Sequence, residues 1–343
     1  MSLVVWSEEP RNAETPLGLL CDSEVTPTGL FFVRSHGAVP ALDPASYSLS
    51  LEGLVRGPLS LSLEELRGRF PTVTIDATLA CAGNRRSDLA GFVPGPGSIP
   101  WGAGAIGNAR WTGVRLRDLL LAAEVGPGAG HVAFTGLDEC AVEGGPVRFA
   151  GSIPLEKALG EEVVLAYEMN GEPLSPEHGF PLRAVVPGYV GARSVKWLSA
   201  VSVQAEPSTS FFQVRDYTLG GIPLAELALN SAACAPREGE AVRGPRVEAR
   251  GWAIAGGPCE VARVELSPDG GATWLEAALT GSGAPWTWRF WRAELELPAG
   301  ACELLVRAHD SSGASQPEAP SEAANPGGYM SNAWQRVAFA IAS

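Results

Sequence analysis

The clearest regularity near the start of the chain has a period of two. Residues 47–55, YSLSLEGLV, alternate polar and apolar positions and predict a strand with one buried face. Ser62 and Glu65 in SLEE form a capping box, which predicts a short helix running toward Phe70. Residues 73–80 then read as a strand leading directly into Cys81. A second helix is expected over 116–124, closing before Gly126. HVAFTGLD (131–138) predicts a strand ending on an acid, and Pro154 suits the first turn of a further helix. Residues 163–169 predict a strand entering an Asn170-Gly171 turn. Helix and strand mix without a regular βαβ rhythm, so the expected class is α+β. Beyond about residue 225 helical pattern almost vanishes. VEARGWAIAG (247–256), CEVARVELSPDGGATW (259–274), TWRFWRAELEL (287–297) and CELLVRAHDSSG (302–313) are strand-like and separated by Gly, Pro and Asp turns. That texture predicts an Ig-like antiparallel β-sandwich. The boundary is expected within 218–228, giving domains 1–222 and 223–343.

Length agrees with two domains: the chain has 343 residues, 45% of them hydrophobic. With 25 basic and 38 acidic residues the net charge is −13, which argues against nucleic acid or anionic membranes as partners. No apolar stretch reaches the ~18 residues of a membrane span. The opening MSLVVWSEEPRNAETP lacks a basic, then apolar, leader pattern, and a cytoplasmic location is expected. Six cysteines are scattered without CxxC pairs, and four histidines show no zinc spacing. Any anionic ligand therefore depends on a local basic cluster.

DATLACAGNRRSDL (76–89) provides one. A cysteine at a strand end, turned by Gly83 and Asn84 and followed by Arg85 and Arg86, can be a nucleophile, a soft-metal ligand or a buried structural thiol. A nucleophile needs a nearby base, for which His36 or His178 is a candidate. FFVRSH (31–36) sets Arg34 and His36 on one face of a strand. HGFPLR (178–183) and GARSVKW (191–197) add His178, Arg183, Arg193 and Lys196. Each is singly compatible with a solvated charge or a satisfied core histidine. Together they form an oxyanion-seeking set inside an acidic protein.

TLACAGNRR resembles the molybdenum-ligand motif of the sulfite oxidase family, which includes the eukaryotic nitrate reductases. NAETP, FFVRSH, PWGAGAIGNARWTGVRL, HGFPLRAVVPGYVGARSVKWL, FFQVRDY and SNAWQRV resemble family segments in the same order, across nearly the whole chain. The resemblance implies a mixed α/β molybdopterin domain followed by a dimerisation domain, hence a homodimer. It implies Cys81 as the protein ligand to molybdenum. Phe32, Val33, Arg34, Ser35, His36, Asp138, His178, Arg183, Ser194, Val195 and Lys196 resemble the molybdopterin-binding positions. Arg34, Arg86, Trp101 and Tyr217 resemble the substrate pocket: two guanidinium groups for an oxyanion, a phenol near the reacting oxygen, and an indole wall. The implied activity is oxygen-atom transfer, with sulfite the favoured substrate and sulfate the product. Reduction of nitrate or of an S- or N-oxide is the alternative within the family. A non-catalytic oxyanion-binding protein and a cysteine hydrolase are alternatives outside it. The chain departs from the pattern at 325–330, NPGGYM, where sulfite-oxidising relatives often carry an arginine; Arg289 and Arg336 are candidates to compensate. The haem domain of the animal enzyme is expected to be absent, so electrons are expected to pass to a separate acceptor or to oxygen.

Overall fold

The computed structural model describes residues 2–95, 97 and 99–342. Alternation and turn chemistry dominate it, and most of its regular structure is β. The helical share is smaller than the α+β expectation. The two longest α-helices, Leu63–Arg69 and Leu116–Ala122, have seven residues each. Leu63–Arg69 begins as predicted: Ser62 Oγ accepts from the Glu65 N–H, and the Glu65 carboxylate accepts from the Ser62 N–H.

Two five-stranded sheets form most of the first domain. One runs Glu172–Pro173, Val164–Met169, Ile106–Arg115 and Thr72–Ala80, with Arg183–Val185 also paired to Val164–Met169. The other runs Leu59–Ser62, Ser48–Gly53, Leu198–Gln204, His131–Val142 and Gly145–Pro154. Within it, Ser48–Gly53 lies parallel to Leu198–Gln204. A small sheet of Val4–Ser7, Asn12–Glu14 and Val33–Arg34 closes one side. The strand predicted over 131–138 continues to Val142 and turns back through Gly144 and Gly145, both at positive φ, into Gly145–Pro154. Asp138 therefore lies inside a strand, where the register slips between Thr135 and Glu139. A bulge of this kind re-aims side chains.

The C-terminal part has two sheets. Asn230–Ala235, Arg246–Ile254, Arg289–Glu296 and Ala278–Thr280 form one. Ala241–Arg243, Gln335–Ala342, Gly300–Asp310, Val261–Ser267 and Leu275–Glu276 form the other. Val247, Ala249 and Trp291 of the first share a core with Leu266, Leu304, Val306 and Phe339 of the second. Pairing is antiparallel except that Ala241–Arg243 runs parallel to Gln335–Ala342, which corrects the wholly antiparallel expectation. The largest core crosses between the two halves. Leu224, Leu227, Cys234, Trp252 and Tyr329 pack in the same cluster as Ile106, Val190 and Tyr217. No helix is long and apolar enough to cross a membrane among the described residues.

Candidate active site

The strand Thr72–Ala80 goes from exposed to buried along its length, so it enters the core as it approaches Cys81. Cys81 is 7% exposed. Its N–H donates to Ala105 O at 2.9 Å, and its Sγ accepts from the Gly83 N–H at 3.4 Å. The thiol opens into a partly enclosed cleft. That cleft gathers residues scattered over 186 positions of sequence, from Phe31 to Tyr217 (217 − 31).

The two arginines after Cys81 have separate roles. Arg85 adopts a left-handed conformation (φ 63°) and is almost fully buried. Its Nε donates to Asp88 Oδ2 at 2.8 Å, and its Nη1 donates to Asn230 Oδ1 at 2.7 Å and to Ser231 O at 3.0 Å. It fastens the Cys81 loop to the second domain. Arg86 points the other way. Its Nε donates to Gly328 O and its Nη1 to Ile99 O, with its guanidinium over the Tyr329 ring at 5.2 Å. A Cβ on Gly83 would lie 2.6 Å from Arg86 Nη2, so any larger residue there would displace this guanidinium. The Met330 N–H donates to Ala82 O at 2.7 Å, which brings the second domain within one residue of Cys81.

Arg34 leaves the strand Val33–Arg34, and the side chain of the adjoining Asn12 holds it at 3.1 Å. Burial opposes its charge, but the facing Tyr217, Cys81 and Asp216 outweigh that effect and raise its pKa. Arg34 Nη2 lies 3.1 Å from His36 Nδ1, and His36 Nε2 lies 2.7 Å from Tyr217 Oη. Burial, with Arg34, Lys196 and Arg86 adding to it, pushes the His36 pKa well down, so this imidazole is neutral. A guanidinium can only donate, so Nδ1 accepts and Nε2–H donates to the Tyr217 oxygen. Burial raises the Tyr217 pKa and keeps its own O–H, which is left to point into the cleft.

Farther along, Lys196 Nζ donates to Ser35 Oγ at 2.9 Å and to Glu177 O at 2.8 Å. Burial, then the charge on Arg183, pull its pKa down to about 7. Arg183 donates to His178 O and Ser194 O, and burial lowers its pKa to about 9. His178 lies 3.2 Å from Thr28 O; burial and the two neighbouring cations lower its pKa to about 3. Asp138 Oδ1 is buried without a partner, and burial raises the pKa of that carboxyl. Among the described residues, Arg34, Arg86, Arg183, Arg193 and Lys196 form no salt bridge. Of these, Arg34, Arg183 and Lys196 share the cleft with the unpaired Asp138 oxygen and the Cys81 thiol. This donor set fits a polyanionic, ring-bearing ligand that also carries a soft metal.

Phe32, Arg34, Ser35, His36, Asp138, His178, Arg183, Ser194, Val195, Lys196, Tyr217 and Cys81 all line the cleft. Val33 is buried in the strand pairing and does not line it, and its side chain faces the core. Trp101 is fully buried against Gly83 in the core behind Cys81, also off the cleft lining. Arg86 is off the cleft lining too, its guanidinium held by Gly328 O and Ile99 O over the Tyr329 ring. Neither candidate for the missing arginine reaches the site: Arg336 pairs with Glu303 and Glu318, and Arg289 lines a separate cleft. Tyr329 instead stacks on Tyr217 (ring centroids 5.2 Å apart), with its hydroxyl bonded to Asp216. Sequence reasoning also passed over Asn12, Glu177 and the stacked pair Phe149–Phe212 that backs His36. The aromatic-rich FF at 211–212 was the available signal for the last.

Comparison with known proteins agrees with this site. Residues 36–212 match the family model described as the oxidoreductase molybdopterin binding domain, and residues 222–342 match the Mo-co oxidoreductase dimerisation domain. The sulfite oxidase of Gallus gallus is 44% identical over 97% of this chain and 77% of its own. The sulfite oxidase of Arabidopsis thaliana is 38% identical over 98% of this chain and 93% of its own. The chain spans about two thirds of the mammalian mitochondrial sulfite oxidases that it matches, 65% in the human case. Among solved structures, the sulfane dehydrogenase SoxCD from Paracoccus pantotrophus superposes with a TM-score of 0.81 at 28% identity, covering 96% of this chain and 84% of that one. The chain belongs to the sulfite oxidase family, and it is a molybdenum-dependent oxidoreductase whose cofactor is molybdopterin.

Proposed function

We propose that this enzyme oxidises sulfite to sulfate by oxygen-atom transfer and passes the electrons to a separate acceptor. One observation carries the reading: the Cys81 thiol opens into a cleft lined by Arg34, Tyr217, Arg183, Lys196 and Asp138. When bound, the molybdenum cofactor supplies the two-electron redox chemistry and the transferable oxygen.

The protein's own residues bind, orient and polarise. Cys81 is the thiolate that holds the metal. Arg183 and Lys196 take the anionic end of the pterin, and Asp138, with Oδ1 unpaired, accepts from its ring nitrogens; Phe32, Ser35, His178, Ser194 and Val195 complete that wall, and Val33 supports it from the core. Arg34 and Arg86 hold an oxyanion and offset the negative charge that grows on it during transfer. The neutral His36 fixes the Tyr217 oxygen, so that the Tyr217 O–H points at the substrate. Trp101 packs the far side of the Cys81 loop. The second domain, which we read as Ig-like and as beginning near residue 223, supplies the homodimer contact.

Tyr329 leaves the pocket with fewer cations than one carrying an arginine from the second domain. This favours weaker binding of the sulfite dianion rather than a different reaction. The test is steady-state turnover with an artificial acceptor: sulfite-dependent reduction with sulfate formed one-to-one is expected. Nitrate reduction by the chemically reduced enzyme at a higher kcat/KM than sulfite oxidation would replace this reading with that of an oxide reductase.

A further inference from the structure

Two cysteines outside the cleft meet across the domain junction. Cys21 caps the C-terminal end of the helical turn Leu17–Leu20, and Cys234 lies on the strand Asn230–Ala235 of the second domain. Their sulfurs are 2.9 Å apart, inside van der Waals contact, although 213 positions separate them in sequence. The other four cysteines have no thiol opposite them among the hydrogen-bonded contacts of the described residues. Arg250 clamps the turn that carries Cys21. Its Nη1 donates to Cys21 O at 3.3 Å and its Nη2 to Asp22 Oδ1 at 2.9 Å, so the partly exposed thiol is held against the buried one.

We propose that Cys21 and Cys234 form a reversible disulfide modification site that staples the N-terminal segment of the catalytic domain to the second domain. The asymmetry in exposure assigns the roles. Cys21 is partly exposed and meets the oxidant, a hydroperoxide. Its thiolate attacks one peroxide oxygen, the O–O bond breaks, and Cys21 becomes a sulfenic acid with release of one water after protonation. Cys234 is 1% exposed, so the peroxide does not reach it first. It then attacks the Cys21 sulfur, the S–O bond breaks, and a second water leaves. Overall, two thiols and one hydrogen peroxide give one disulfide and two waters; two electrons pass from sulfur to peroxide oxygen. A small dithiol reverses the step.

The strand bearing Cys234 also supplies Asn230 and Ser231, which hold Arg85. The staple therefore restrains the junction on which the Cys81 loop rests, without entering the cleft. This inference does not depend on which oxyanion the enzyme oxidises.

The test treats purified holoenzyme with hydrogen peroxide, raised in dose until Cys259 or Cys302, also partly exposed, begins to react. Alkylation under denaturing, non-reducing conditions and peptide mapping follow. The expected result is a linked Cys21–Cys234 peptide, loss of two of six thiols just below that dose, and recovery with dithiothreitol. Cys21→Ser should abolish the link, and Cys234→Ala should leave Cys21 as a sulfenic acid trapped by dimedone. If both cysteines are still alkylated as free thiols once Cys259 or Cys302 has oxidised, or if either is linked elsewhere, the proposal is overturned.

Discussion

Tyr217 shows how much chemistry rests on a single proton's position. Its oxygen accepts from His36, which in turn accepts from Arg34, so the phenolic proton is committed to the cleft. Tyr217→Phe keeps the ring and its stacking on Tyr329 but removes that donor. The expected loss is about 100-fold in kcat with little change in KM, the size typical of removing one preorganised donor. A loss confined to KM would mean that Tyr217 only binds. Arg34→Gln removes a charge rather than a proton, and should raise KM for sulfite about 10- to 100-fold. An unchanged KM would remove Arg34 from substrate binding. Lys196 gives a prediction for stability. It binds a proton near 10.5 when unfolded and near 7 in the cofactor-free fold. Between those values the unfolded chain holds the extra proton, so stability rises with pH across that window, by about 1.4 kcal/mol per pH unit at most. Urea titrations of the cofactor-free protein at pH 7, 8 and 9 should show this rise, and a fall across that range would place the charge elsewhere.

At the scale of elements, the loop after Thr72–Ala80 is held in place by the second domain. Arg85, Arg86 and Ala82 each bond to second-domain atoms. Asn230→Ala leaves the buried Arg85 guanidinium one acceptor short and should cost about 1–3 kcal/mol in chemical denaturation. A cost within a few tenths would mean that Ser231 O alone suffices. Local signals in the sequence foretold several elements. The capping box at Ser62 and Glu65, the strand into Cys81 and the turn at Asn170-Gly171 depend on neighbours in sequence, and all three are present. The extension of the strand past Asp138 to Val142 was not legible, because it is set by pairing with Gly145–Pro154 rather than by the strand's own alternation. Arg34 and His36 were expected on one face of a strand. They do meet, although the strand is only two residues long, because Asn12 from a neighbouring strand fixes Arg34. Arg85 and Arg86 look alike in sequence and differ only through their tertiary partners.

For the whole molecule, the acidic surface and the cationic cleft belong together. In a chain of net charge −13, Arg34, Arg183 and Lys196, which have no carboxylate partner among the described residues, make this cleft favourable to a polyanion. The loop over 327–330 shows that the second domain does more than support assembly, since Tyr329 comes from it and stacks on Tyr217. Assembly itself is expected to be a homodimer, so sedimentation should give twice the 35.8 kDa chain mass; a monomer at micromolar concentration would reject it. The central claim is that Cys81 holds molybdenum where the cleft's cations and Tyr217 meet. The most direct measurement is the molybdenum content of wild type and Cys81→Ser purified side by side from a host able to make the cofactor, each then assayed for sulfite turnover. The account predicts near-stoichiometric metal and sulfite oxidation in wild type, with turnover abolished in the variant. Wild type without molybdenum, or a variant that oxidises sulfite as fast as wild type, would contradict it.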